Sequence, residues 1–207
     1  MKMKIWKSLV ILSCIISIGS FWGCAGRTYL MVDYQVPMAS EQLTGQTVQL
    51  QIDDQRGTKT IFTRTAADQF PSFNHRYSLA WIMPDKERIL AGEYDLAALF
   101  RNSFEKRLAL MDAAVSNDNT PQTPVLAIKL NKFTIDLQGR KWVANVSYQA
   151  VLTKPGHPVA KEQINGNAER VRVIGRKGAD MVISEIFTDT VNRMDLQKLF
   201  QRAELIP

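Results

Sequence analysis

The sequence predicts one α+β domain, in which an antiparallel sheet has two main amphipathic helices packed on one of its faces. Apolar and polar residues alternate along residues 47–52 and again from 126 to 152, which is typical of half-buried strands. Residues 95–111 and 179–194 instead place their apolar side chains at helical spacing. The order of strand, helix, three strands and helix favours an α+β sandwich.

The first strand and the first helix have clear signals. The strand at 47–52 ends in a polar turn at 53–57. Asp95 is a favourable N-cap for the helix that follows. The apolar face of this helix is formed by Leu96, Leu99, Phe100, Phe104, Leu108 and Met111.

The second half of the chain predicts a long hairpin. Its first strand changes alternation near residues 131–132, which indicates a β-bulge, and a turn at 138–140 leads into the second strand. A third strand is expected within 160–173. A short final helix begins at Asp195.

The first 23 residues predict a signal peptide. Lys2, Lys4 and Lys7 precede an apolar run at 8–18 that contains no charged residue. This run of about 11 residues is shorter than the roughly 20 that a transmembrane helix needs. We therefore expect an exported protein that does not span a membrane by a helix.

Gly23 and Cys24 follow the apolar run and resemble the end of a bacterial lipoprotein signal, in which the cysteine is acylated and becomes the new N-terminus. Phe21 and Trp22 stand where such signals usually have a leucine and a small residue. Acylation at Cys14, a plain signal peptide and an uncleaved anchor are the alternatives. Acyl chains on Cys24, palmitate among them, would hold the protein in a membrane effectively permanently.

The predicted anchor divides the chain into three parts. Residues 1–23 are the signal peptide, residues 24–44 the lipidated N-terminus and tether, and residues 45–207 the single folded domain. Ala25, with no aspartate at that place, resembles the residue found in lipoproteins that are passed to the outer membrane.

Composition excludes several classes of protein. The chain has 207 residues and a formal net charge of +6, and its two cysteines both lie within the first 24 residues. The rest of the chain has no thiol, which excludes internal disulfides, Cys-ligated zinc and a cysteine nucleophile. Without the three lysines of the signal peptide the net charge falls to +3. Export and this modest charge disfavour a nucleic-acid partner.

Two segments resemble a group of envelope lipoproteins. Residues 45–56 resemble the opening strand and polar turn of the YajG-like type, and residues 27–34 the aromatic stretch after the anchor of auxiliary lipoproteins of lipid-transporting ABC systems. The strand pair at 126–148 and the helix at 178–183 have the order of this group. The resemblance implies a non-enzymatic lipoprotein on the inner leaflet of the outer membrane that assists envelope proteins or lipid-transfer machinery.

The leading hypothesis is therefore an accessory subunit of an envelope transport or assembly complex, facing the periplasm. The alternative is a direct carrier of lipid or another amphiphile, which needs a cavity between the helices and the sheet. A hydrolase is a weaker third hypothesis, because no Gly-x-Ser-x-Gly elbow or glycine-rich phosphate loop occurs. We expect no cofactor and no metal.

Asp53, Asp54 and Arg56 are the candidates for chemistry. Paired carboxylates at a strand end could act in acid–base catalysis or hold a hard cation. The alternative is a hydrogen-bonded turn with a local ion pair. His75 is a poor candidate for a metal ligand because the other histidine, His157, is far along the chain.

The segment 58–88 is irregular and rich in aromatic residues. Such residues favour contact with a partner protein, although loops also use them to attach to a core. The candidates for partner binding are Phe70, Phe73, Tyr77 and Trp81.

A basic cluster lies near the end of the predicted third strand. Its side chains could contact anionic lipid head groups, or they could keep an edge strand from pairing with another chain. The residues are Arg170, Arg172, Arg176 and Lys177, with Arg140 and Lys141 expected nearby.

Overall fold

The computed structural model describes residues 28–118, 120–172 and 177–207. The predicted acylation site Cys24 lies outside these residues. The strands are β1 (Leu30–Gln35), β2 (Thr47–Asp54), β3 (Tyr77–Ile82), β4 (Arg88–Tyr94), β5 (Ala114–Val115), β6 (Val125–Gln138), β7 (Lys141–Thr153) and β8 (Ala160–Val171). The helices are α1 (Arg64–Ala67), α2 (Leu96–Leu110), α3 (Lys177–Arg193) and α4 (Leu196–Arg202).

These strands form two sheets, one of five strands in the order β5-β2-β6-β7-β8 and one of three in the order β1-β3-β4. The α+β class is confirmed, but the prediction of a purely antiparallel sheet is wrong. Strand β2 pairs in parallel with β5 and β6, and β1 pairs in parallel with β3. Long connections that include α1 and α2 separate these partners in sequence, and such connections allow the chain to return in the same direction.

The predicted hairpin is confirmed. β6 and β7 pair antiparallel over their whole length, with a register shift between Leu130 and Lys132 where the bulge was expected. The turn is closed by Gly139 at φ +59°, a conformation that favours glycine. β8 continues the meander and ends at Val171.

Two helices begin at the predicted caps. The Asp95 carboxylate accepts a hydrogen bond from the Ala98 N–H at 2.8 Å and starts α2. The Asp195 carboxylate accepts one from the Lys198 N–H at 2.9 Å and starts α4. The helix predicted at 179–194 is α3, and its last turn leads directly into Asp195.

Aromatic rings fill the space between the helices and the five-stranded sheet. The ring centroid of Phe100 on α2 lies 5.0 Å from that of Phe187 on α3 and 5.9 Å from that of Tyr148 on β7. Phe133 of β6 is 6.0 Å away, and all four side chains are buried. These edge-to-face contacts occupy the place where a lipid carrier would need its cavity.

The domain begins earlier than predicted. The sequence predicts that residues 30–35 belong to the tether, but they form β1, and Leu30, Val32 and Tyr34 are fully buried. Alternate apolar residues in this segment give one face that the core can cover, so the segment joins the small sheet. The folded part therefore includes β1, whereas the prediction places its start near residue 45.

Candidate functional site

The outer edge of β1 is hydrogen-bonded by side chains of α3. Successive acceptors lie four residues apart on the helix, about 6 Å, and successive donors lie two residues apart on the strand, about 6.6 Å. The bonds join the Met31 N–H to Asp180 Oδ1 at 2.9 Å, the Asp33 N–H to Ser184 Oγ at 2.9 Å, and the Gln35 N–H to Thr188 Oγ1 at 3.1 Å.

Asn192 extends the same row by one more turn of α3. Its side-chain amide donates to the Gln35 carbonyl at 2.9 Å, and its Oδ1 accepts from the Tyr34 hydroxyl at 2.6 Å. An edge strand normally offers unpaired backbone groups to other chains. Here the helix satisfies them, so β1 and α3 form one unit at this edge.

A groove of about 1010 Å³ runs between β1, the exposed face of α3 and the end of β8. One end of it is apolar, because Val171 is 64% exposed and Met181 is 45% exposed. Neither residue is among the candidates that the sequence predicts for a site. The helical spacing of the other apolar residues of α3 leaves Met181 outside the apolar face, and this spacing could have identified Met181 as an exposed methionine.

α3 is held against β8 and β7 by two close approaches. A Cβ on Gly166 of β8 would collide with Thr190 Cγ2 and would lie 2.6 Å from Ile186 Cδ1, so the glycine lets the helix lie this near without a shift of these side chains. At the start of the helix, a Cβ on Gly178 would lie 2.6 Å from Trp142 Cδ1 and 3.6 Å from the Val171 carbonyl oxygen. These contacts place the first turn of α3 at the end of β8.

The structure brings four of the predicted basic residues together at the end of β8. Arg140 lies in the β6–β7 turn, and its carbonyl accepts from the Arg172 N–H at 2.7 Å. The side-chain contacts are Arg170 to Glu185 at 2.6 Å, Lys141 to Glu169 at 3.0 Å, and Arg172 to Gln69 at 2.6 Å. Arg176 and the side chain of Lys177 lie outside the described residues.

The predicted acidic pair is separated in the structure. Asp54 accepts hydrogen bonds from Arg56 Nε and Nη2 at 2.8 and 2.9 Å and from Lys59 Nζ at 2.8 Å. The bond from Arg56 is the main reason that the pKa of the Asp54 carboxyl lies well below its usual range. Asp53 is exposed and accepts only from Gln55 among the described residues, at 2.7 Å. The arrangement is that of an ion-paired turn.

We expect Asp54→Asn to lower the free energy of unfolding by about 1–3 kcal/mol near neutral pH, because Arg56 is largely buried and loses a charged partner. A depressed carboxyl pKa stabilises the fold above the unfolded value of about 3.9 and loses that effect as pH falls through the folded value. The difference between the two proteins should therefore shrink in acid. Urea unfolding of the Cys24→Ala chain measures it, with Asp53→Asn as the matched control; equal losses in both variants would refute the ion-pair assignment.

Two residues of the predicted aromatic surface are core residues. Phe70 is 5% exposed and Tyr77 is 1% exposed, so neither side chain can contact a partner, and that part of the prediction is wrong. Their rings pack against other aromatic rings of the core. The ring centroid of Phe70 lies 4.5 Å from that of Phe62 and 5.7 Å from that of Trp142, and the ring centroid of Tyr77 lies 6.1 Å from that of Phe133. Burial of these rings fixes the segment to the domain.

Phe73 and Trp81 are only partly buried, and partner binding by these two residues stays a prediction. His75 lies beside Phe73, with ring centroids 5.2 Å apart.

Among the described residues, no three His, Cys, Asp or Glu side chains converge as a metal site would require. In the same part of the chain, no helix has the length and apolar character to cross a bilayer.

The α+β fold of this chain is also seen in a solved structure. A Xanthomonas campestris protein of the DUF330 family superposes with a TM-score of 0.55 at 13% identity, over 82% of this chain and 94% of that one. At this identity the similarity shows a shared fold and nothing more. No family model matches the chain, and no curated protein matches it.

Two solved lipoproteins superpose less well. Rare lipoprotein B from Shewanella oneidensis has a TM-score of 0.38 at 11% identity, over 70% of this chain and 89% of that one. A minor lipoprotein from Acinetobacter baumannii has a TM-score of 0.37 at 10% identity, over 78% and 96%. Values this low carry no argument about this chain.

Proposed function

We propose that this chain is a non-catalytic lipoprotein of the outer membrane, anchored through Cys24, that faces the periplasm and serves an envelope transport or assembly complex. The observation that carries the proposal is the position of β1. It begins at Leu30, only six residues after Cys24, and is bound into the domain along its whole length. An acylated Cys24 would therefore hold the domain directly at the membrane surface.

Two features support a role without catalysis. The carboxylate of Asp54, the candidate for acid–base chemistry, is held by Arg56 and Lys59 in a turn. The rings around Phe100 fill the interior between helices and sheet, which disfavours the lipid-carrier alternative. What remains is a domain with an exposed groove beside β1. The transport part of the proposal rests on the resemblance of residues 27–34 to auxiliary lipoproteins of lipid-transporting ABC systems.

Cell fractionation of a Cys24→Ala variant tests the anchor. We expect the wild-type protein in the outer-membrane fraction and the variant in the soluble periplasmic fraction, because the described domain offers no helix that crosses the membrane. Cys14→Ala is the matched control and should leave the protein in the membrane fraction, since Cys14 departs with the signal peptide. Release by Cys14→Ala, or continued membrane association of Cys24→Ala, would contradict the proposal.

Cells that produce the wild-type protein and cells that produce the Cys24→Ala variant also test the accessory role. After chemical crosslinking in cells, we expect purified wild-type protein to carry one reproducible envelope partner and the Cys24→Ala variant to lose most of it, because the anchor concentrates the protein at the membrane. A wild-type protein that yields no crosslinked partner, or that co-purifies with an equimolar extractable phospholipid, would overturn the accessory role and favour the carrier.

A further inference from the structure

We infer that the end of the domain at which β8 ends and α3 begins lies on the anionic membrane surface. This anchor-proximal end is defined by Arg140, Val171, Arg172 and Met181. The inference rests on the proposed anchor at Cys24, and it adds which surface of the domain contacts the lipid and through which side chains.

The chain geometry limits which end can reach the bilayer. The six residues from Cys24 to Leu30 span at most about 22 Å when fully extended. β8 alone, from Ala160 to Val171, is about 36 Å long. The two ends of the domain are therefore not equivalent, and the one nearer Leu30 must face the membrane.

Contacts show that Leu30 lies at the Val171 end. The next residue, Met31, donates its N–H to Asp180 in the first turn of α3. Two residues before Asp180, the Cα of Gly178 lies beside the Val171 carbonyl and the Trp142 ring. β1 and α3 run in the same direction from there, since Asp33 and Gln35 bond to later turns of the helix.

The charges at this end leave two arginines for an anionic surface. Arg170 and Lys141 are neutralised by Glu185 and Glu169. Arg140 and Arg172 are exposed, and among the described residues neither has a carboxylate partner; Arg172 donates to the neutral amide of Gln69. Unpaired cations at a juxtamembrane surface attract anionic head groups.

Exposed apolar side chains lie at the same end of the domain. Val171 precedes Arg172 in the chain, and Met181 lies one turn into α3 at the mouth of the groove. Basic residues beside exposed apolar ones are the combination that interfacial membrane contacts use. If this cluster served only to keep the edge strand from pairing with another chain, it would need the charges but not the exposed valine and methionine.

Single-cysteine labelling of the acylated protein tests the orientation. The mature chain has no cysteine besides the acylated Cys24, so Val171→Cys and Val159→Cys each introduce one free thiol. Val159 is the matched control, because it is also a valine, is 56% exposed and lies next to the opposite end of β8. Each variant is labelled with an environment-sensitive fluorophore in vesicles of phosphatidylethanolamine and phosphatidylglycerol that contain lipid spin-labelled at the head group.

We expect strong quenching of the label at position 171 and none at position 159. Equal quenching at both positions, or quenching at 159 alone, would overturn the inference. Flotation of the same vesicles measures anchoring separately, so a protein that floats without quenching at 171 refutes this surface and leaves the proposed anchor intact. A protein that does not float refutes the anchor.

The charge contribution is measured on the Cys24→Ala chain with vesicles of the same two lipids. We expect Arg140→Gln and Arg172→Gln each to weaken binding about fivefold, the effect of one basic residue near an anionic surface. Lys154→Gln and Lys161→Gln, at the far end of β7 and β8, should change it little. If the arginine variants and the lysine variants lost the same amount of vesicle binding, the attraction would be non-specific and the assignment of this surface would be contradicted.

Discussion

Replacing Phe100 by alanine is expected to lower the free energy of unfolding by about 3–5 kcal/mol, the range for removing a buried aromatic ring. Phe100 is fully buried and contacts the rings of Phe133, Tyr148 and Phe187 from both the sheet and α3. Its removal leaves a cavity at the point where α2, α3 and the five-stranded sheet meet. Because domains have only about 5–15 kcal/mol of stability in total, a large part of the protein's stability depends on this ring.

Urea unfolding of the Cys24→Ala chain measures this loss. Phe100→Leu keeps most of the volume and should cost less than about 1.5 kcal/mol. Leu90→Ala, at a residue that is 64% exposed on β4, should change stability by no more than about 0.5 kcal/mol. A Phe100→Ala variant as stable as Leu90→Ala would mean that the helices do not depend on this ring contact, and the interior would again be open to the carrier hypothesis.

Local patterns were enough to predict most of the second half of the fold. The side chains of Asp95 and Asp195 cap helices where the sequence places them, and the bulge near Lys132 follows from a change of phase in a single strand. Each of these features depends on residues that are adjacent in the chain. The β6–β7 hairpin needs only a turn with glycine at positive φ.

The remaining features depend on contacts between distant segments. β1 carries a clear alternation, but its role as a strand depends on pairing with β3, 47 positions later in the chain, and on α3, about 150 positions later. β4 presents mostly exposed side chains, so its sequence has no buried face to detect. The parallel pairing of β2 with β6 is likewise non-local, because turn chemistry specifies only hairpins.

The candidate sites divide in the same way. The ion-paired turn at Asp54 is local and was among the alternatives that the sequence offered. Aromatic residues such as Tyr77 carry no sequence mark that separates a binding surface from a core, and only the neighbouring rings decide between them. Among the described residues, Arg140 and Arg172 have no carboxylate partner; this also follows from their neighbours in space, and no spacing in the sequence predicts it.

Arg107 supports the C-terminal end of α3 from a position on α2. Its guanidinium is buried and donates to the carbonyls of Val191 and Met194, and the Tyr148 hydroxyl donates to the Thr190 carbonyl at 2.7 Å. The last carbonyls of a helix have no partners within the helix, and a cation is favourable at that end. Burial lowers the pKa of the Arg107 guanidinium from its ordinary value.

Replacing Arg107 by methionine sets two opposing effects against each other. The variant no longer pays for desolvating a charge, which in some proteins makes such a change stabilising. It also leaves two buried carbonyls without donors, at about 1–3 kcal/mol each. The guanidinium has no carboxylate in salt-bridge contact among the described residues, so these carbonyls and the helix dipole, with the more distant charges of Asp195 and Glu162, compensate its burial. We therefore expect Arg107→Met to lower the free energy of unfolding by about 2–4 kcal/mol.

Arg107→Lys separates the charge from the geometry. Lysine keeps the cation but lacks the planar fork that reaches both carbonyls. We therefore expect the free energy of unfolding of Arg107→Lys to lie between those of the wild type and Arg107→Met. Hydrogen exchange should show the effect first in the amides near the end of α3. If Arg107→Met were more stable than wild type, the desolvation cost would exceed the value of the two bonds. The end of α3 would then be held by its apolar contacts, and Arg107 would not be its cap.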